Sequence, residues 1–180
     1  MNINQDDYGL KYIDEQGYGF ICKEHRIEFP PQHQDTQPGM EYLMKPRPIF
    51  DNPYYRGSGK LINKVAIITG GDSGIGRAVA IGYVKEGAKV VIPYYNEHED
   101  AEETKAFIER LGGTCILMAG DIKDTSFCDK IVDETMKKFG RIDILVNNSA
   151  VQYQQKSLLD ITDEQFDLTM KTNIYSMFYL

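Results

Sequence analysis

From Lys64 onward, short apolar runs alternate with longer stretches in which apolar residues recur at helical spacing. The runs KVAIIT (64–69), KVVIPYY (89–95), TCILMA (114–119) and RIDILVN (141–147) have strand length and almost no polar alternation. Strands of that kind are covered on both faces, which is the situation in a parallel sheet flanked by helices. Between them, Ile75, Ala78, Val79, Gly82 and Tyr83 fall on one helical stripe, and Ala101, Thr104, Ile108 and Leu111 on a second that ends at Gly112 and Gly113. Cys128, Ile131, Val132, Thr135 and Phe139 form a third stripe, with Gly140 placed to close the helix in a left-handed turn. A fourth helix is predicted from TDEQ, where Thr162 caps and Gln165 reaches back, with Phe166, Met170, Asn173 and Met177 on one face. Strand then helix, repeated, predicts an α/β fold of Rossmann type: a doubly wound parallel sheet in the order 3-2-1-4, numbering these four strands along the chain.

Upstream the pattern is lost. Six of the seven prolines lie between Pro30 and Pro53, and residues 1–28 carry no confident element. The expected organisation is an extended, mostly irregular N-terminal arm over 1–60 and a dinucleotide-binding region over 61–180. The proline and aromatic content of the arm suggests that it stabilises an oligomer. Composition narrows the function. With 42% hydrophobic residues the 180-residue chain can bury a real core, and a net charge of -7 gives no attraction to nucleic acid or anionic membranes. The first twenty residues lack the features of a signal peptide and no long apolar run follows, so the expected location is the cytoplasm. Cys22, Cys115 and Cys128 are odd in number and never spaced as CxxC, so all three are read as reduced and two as buried.

The candidate chemistry lies directly after the first of the four strands. Thr69, Gly70, Gly74 and Gly76 form TGxxxGxG between a predicted strand and a predicted helix. A pyrophosphate reaches the backbone only where no Cβ intrudes, and N–H groups at a helix start point toward it with the helix dipole behind them. Gly70, Gly74 and Gly76 are therefore assigned to the turn, the close approach and the packing of helix on strand. A phosphate loop of the GxxxxGK[ST] kind fails at GSGKL, where Tyr54 and Leu61 stand in place of glycine and of serine or threonine. Cys22, His25 and His33 lack a fourth ligand at familiar spacing, so no metal site is expected.

TGGDSGIG, then Gly120 and Asp121, then NNSA at 147–150 and Asn173 in KTNIYSMF together resemble the short-chain dehydrogenase/reductase family, from Lys64 to Leu180. The arm joined to GSGKL resembles the bacterial general stress and glucose 1-dehydrogenase-like group, which carries such an extension. The resemblance implies a nicotinamide cofactor, a small alcohol or carbonyl substrate, with sugars among the candidates, and a homo-oligomeric, tetrameric complete protein. It implies that Thr69 braces the glycine turn, that Ser73 and Ile75 face the cofactor, and that Asp121 and Ile122 meet its adenine end. Asn147 would hold the sheet at the cofactor's edge, Ala150 would lie near the nicotinamide ribose, and Asn173 would be the asparagine of the catalytic set. The acidic residue expected after the second strand is replaced by Tyr94 and Tyr95; Glu97 could reach the ribose and Arg77 a phosphate. The balance tips slightly to NAD over NADP and the choice stays open.

The family's catalytic tyrosine is followed four residues later by a lysine, and none of the twelve tyrosines here has one. The apolar ending NIYSMFYL reads as an interruption within a helix, so the chain is expected to be a fragment of an oxidoreductase and inactive by itself. Helices at this place in the resembled family pack against a second subunit, which implies that Phe178 and Leu180 would be exposed in a monomer and promote association. The alternative is a finished, non-catalytic nucleotide-binding or interaction protein, or a decayed remnant.

Overall fold

Val65, Ala66, Ile67 and Ile68 are all buried, so this strand divides its side chains between two apolar layers rather than between a core and water. A computed structural model of the chain describes residues 10–12, 20–22 and 31–180. It divides into two compact units, 1–31 and 32–180. In the first, β1 (Leu10–Tyr12) pairs antiparallel with β2 (Phe20–Cys22), with Lys11 opposite Ile21. That pairing is an element the sequence pattern missed. The side chains of Cys22 and His25, considered above as ligands, lie outside the described residues.

The second unit holds β3 (Val65–Ile68), α1 (Gly74–Lys85), β4 (Lys89–Tyr94), α2 (His98–Arg110), β5 (Cys115–Ala119), α3 (Thr125–Phe139) and β6 (Ile144–Val146). The sheet is parallel throughout, in the order β5-β4-β3-β6, which is the predicted 3-2-1-4. Its two faces carry separate cores. Ala66, Ile68, Val90 and Ile92 pack with Ala80, Ile81 and Val84 of α1 and Ile108 of α2 on one side. Ile67, Val91 and Met118 pack with Phe127, Cys128 and Ile131 of α3 on the other. Cys115 and Cys128 are free, buried thiols, and burial pushes Cys115 up to about 12.

Two helix faces differ from the sequence reading. On α1 the inward residues are Gly76, Arg77, Ala80, Ile81 and Val84, while Ile75 is 78% exposed, because the glycine turn delivers the helix onto the sheet one residue out of the expected phase. After β6 come α4 (Asp163–Met170), a π turn at Lys171–Tyr175 and α5 (Ser176–Tyr179). Here Thr172 and Ser176 are buried, and Leu180 packs against the second core rather than standing exposed. Phe166 and Met177 face outward, and Phe178 is exposed as expected. Thr162 Oγ1 accepts the Gln165 N–H as predicted, but Gln165 Oε1 accepts from Gln155 Nε2 instead of reaching back.

Residues 32–60, read as an arm, are part of the second unit. Arg77 explains how. Its side chain has no exposed surface, and its NH1 donates to Glu41 Oε1 at 2.7 Å while its NH2 lies 3.5 Å from Asp100 Oδ1. The Nε donates to the Asp72 carbonyl at 2.9 Å, and Phe50 lies under the guanidinium at 5.0 Å. Asp100 in turn accepts the Glu41 and Tyr42 N–H groups at 2.7 and 3.2 Å. Arg47 closes the cluster onto Glu103 at 2.6 Å. Every face of the Arg77 guanidinium, which the sequence reading set within reach of a phosphate, is committed to this latch.

A buried ion cluster that loses one member leaves the others uncompensated. Arg77→Ala is expected to cost about 3–5 kcal/mol of stability in urea unfolding. Equal stability of Arg77→Ala and the parent would contradict the latch.

Candidate dinucleotide site

The polypeptide leaves β3 at Ile68 and reaches α1 at Gly74, so the sheet edge, the turn and the helix start converge within six residues. Gly74 has φ +52°, and a Cβ built on it would meet nothing within 4 Å: the turn is left-handed and faces open space. Gly76 is the opposite case. A Cβ there would stand 2.0 Å from the Gly70 carbonyl oxygen and 2.6 Å from Asn148 Nδ2, so only glycine lets the helix lie this close to the strand.

The turn is fastened to the end of β6. Thr69 Oγ1 accepts the N–H groups of Asn148 and Ser149, both at 3.0 Å. Asn148 Nδ2 donates to the carbonyls of Thr69 and Gly70 at 3.0 and 3.1 Å. Thr69 braces the glycine turn, and its partner side chain is Asn148. Asn147, exposed, does not line the cavity; the adjacent asparagine holds the sheet edge. The doublet in NNSA was legible, but which of the two turns inward depends on where β6 ends.

In front of the turn lies a cavity of about 470 Å³. Of the residues expected from the sequence, Gly70, Ser73, Gly74, Ile75, Tyr94, Glu97, Asp121, Ile122 and Ala150 line it together. Asn173 does not. It borders a neighbouring hollow, and both ends of its amide are engaged by Val151, whose N–H it accepts at 2.8 Å and whose carbonyl it donates to at 2.9 Å. In this geometry Asn173 holds the loop after β6. Sequence reasoning also missed Gln37 and Pro38, which reach the cavity from upstream, and Asp72.

The site is acidic. Asp72, Glu97 and Asp121 line it, and the one cationic residue among the lining residues, Lys123, has its Nζ 3.2 Å from Asp121 Oδ2. Tyr94, buried, sends its hydroxyl to His98 Nδ1 at 2.9 Å. Burial raises Asp72 to about 6, with the Glu97 and Asp100 carboxylates adding to the shift and hydrogen bonds from its own backbone and Ser73 opposing it. The open turn, the helix start behind it and the absence of Cβ atoms fit the pyrophosphate of a dinucleotide, and the volume lies in the usual range for ligand cavities.

Because Asp72 binds its proton more tightly folded than unfolded, it lowers stability as pH rises from its ordinary value, 3.8, through about 6. Asp72→Asn should therefore be more stable than the parent at pH 7.5, with the gain vanishing below about pH 4, as read by thermal unfolding across that range. An unchanged difference at all pH values would contradict the assigned shift.

A family model described as short chain dehydrogenase matches residues 64–180. General stress protein 39 of Bacillus subtilis is 53% identical over 153 residues, covering 85% of this chain and 54% of that protein. Glucose and ribitol dehydrogenase of Daucus carota is 41% identical over 159 residues, covering 85% of this chain and 55% of the relative. A short chain dehydrogenase from Burkholderia cenocepacia, solved in complex with NADP, superposes with a TM-score of 0.63 at 36% identity, over 67% of this chain and 49% of that one. The chain spans about half the length of the curated relatives it matches.

Proposed function

The chain belongs to the short chain dehydrogenase family, and on that premise we propose that it is the dinucleotide-binding part of an oxidoreductase that moves hydride between a nicotinamide cofactor and an alcohol or carbonyl substrate. The observation that carries this reading is the left-handed Gly74 turn opening onto the cavity at the start of α1. A bound nicotinamide would supply the hydride chemistry. The protein's own part is to hold and orient: Ser73 and Ile75 at the phosphate turn, Asp121 and Ile122 at the adenine end, and Ala150 beside the nicotinamide ribose. Asn173, through Val151, steadies the loop that carries Ala150.

For the substrate we propose a sugar or polyol, on the strength of the name of the carrot relative. For the cofactor we propose NAD. A 2′-phosphate entering beside Asp72 and Glu97 would meet two carboxylates and no arginine among the lining residues, whereas a ribose hydroxyl can donate to either. No tyrosine here has lysine four residues later, so the 180-residue chain is expected to bind cofactor without turning it over. We place the protein in the cytoplasm, consistent with two unoxidised buried thiols and with no helix among the described residues being long and apolar enough to cross a membrane. A second reading, a non-catalytic interaction protein or part of a homo-oligomer, is favoured by one feature: Leu158, Leu159, Phe166 and Phe178 are exposed together on the segment from 158 to 178.

Calorimetric titration at pH 7.5 tests the main reading. NAD+ is expected to bind about tenfold more tightly than NADP+, equivalent to roughly 1.4 kcal/mol. Gly74→Val, which places a branched side chain at φ +52° in the cavity, should abolish both. Failure of both dinucleotides to bind would overturn the reading; tighter NADP+ binding would reverse the cofactor choice.

A further inference from the structure

The glycine turn is held by a residue that lies 33 positions upstream of it. Glu41, 3% exposed, accepts the Gly74 N–H through Oε2 and the Arg77 guanidinium through Oε1. A carboxylate at a helix start competes with an anionic ligand for the same field. Here the carboxylate is paired with Arg77, and Arg47 NH2 lies 3.4 Å from the same Oε1, so Gly74 is satisfied by an ion-paired group rather than by a lone charge. The N–H groups beyond Gly74 are then the ones a phosphate can use.

The same segment continues over the cavity. Gln37 and Pro38 line it beside Gly74 and Ile75, and Gln37 Nε2 donates to the Gln152 carbonyl at 3.4 Å on the loop after β6. Gln34 closes the intervening loop, its side chain accepting the Met40 N–H at 2.8 Å and donating to the Met40 carbonyl at 2.9 Å. One end of the segment is therefore tied to the starts of α1 and α2, and the other to the loop that carries Ala150. Between these ties Gln37 and Pro38 line the site in a loop already closed on itself, which lowers the ordering cost of binding.

We propose that residues 37–41 are a strap across the cofactor cleft, in which Gln37 and Pro38 contact the bound dinucleotide and Glu41 is a positioning residue that sets the Gly74 turn. This rests on the dinucleotide reading above and adds to it a wall that lies outside the strand-turn-helix unit. Loss of that wall should speed cofactor release while leaving the fold intact, because neither Gln37 nor Pro38 belongs to either core.

The test uses the full 180-residue chain and NADH, followed by nicotinamide fluorescence and by hydrogen exchange of the amides of 39–43. Gln37→Ala with Pro38→Ala is expected to raise Kd about tenfold, worth roughly 1.4 kcal/mol, at an unchanged melting temperature. Saturating NADH should slow exchange at 39–43 in the parent and less in the double variant. Glu41→Gln, which keeps an acceptor for the Gly74 N–H, should bind NADH more tightly than Glu41→Ala. If the parent binds NADH but the double variant has the same Kd and NADH leaves 39–43 unprotected, the strap is overturned and the dinucleotide reading stands. If the parent itself does not bind, the dinucleotide reading falls, and the strap with it.

Discussion

A guanidinium with no exposed surface must be neutralised where it lies, and Arg77 meets that requirement by drawing together three separate parts of the chain. It stands one turn into the helix that follows the glycine turn. Its partners are Glu41 from the proline-rich segment, Asp100 from the start of α2 and the carbonyl of Asp72 within the turn itself. The geometry of the glycine turn is thus tied to an ion cluster rather than to loop propensity alone. That cluster, with Asp51 on Lys85 and with Tyr55, Ser58 and Lys60 on Glu86, ties residues 32–60 to the sheet unit.

From the latch the rest of the site follows in sequence. With the turn held from behind, Gly76 can lie against the Gly70 carbonyl, and Asn148 can bridge the carbonyls of Thr69 and Gly70. Burial of the same turn isolates Asp72 from solvent next to Glu97, giving the cavity its acidic character and Asp72 its high proton affinity. Stability and local electrostatics therefore share one structural origin.

Much of the fold was legible because its strands are apolar on both faces and parallel connections cross over with one hand, which leaves few arrangements for four βα units. The glycines were legible for the same local reason: their spacing encodes a turn, an approach and a contact. What was not legible depended on distance or phase. Glu41 and Arg77 are 36 residues apart, and Glu41 lies in a segment with no periodicity to mark a buried carboxylate. The inward face of α1 is set by how the turn delivers the helix, and at the α4–α5 junction a π turn changes the register, so apolar spacing alone misassigned both. Asn148 rather than Asn147 faces the turn because β6 ends at Val146, and an element boundary is the feature that sequence pattern specifies least.

The central claim is that the backbone between Ser73 and Gly76, held by Arg77 and Glu41, is a cradle for a pyrophosphate. The most direct measurement is the shift of backbone amide resonances in the labelled chain on titration with ADP-ribose, which carries the pyrophosphate without the nicotinamide. The account predicts the largest shifts at Ser73, Ile75 and Gly76, with a second group at Asn148–Ala150. Saturable binding with shifts confined to α4 and α5, or no shift at the glycine turn, would contradict it.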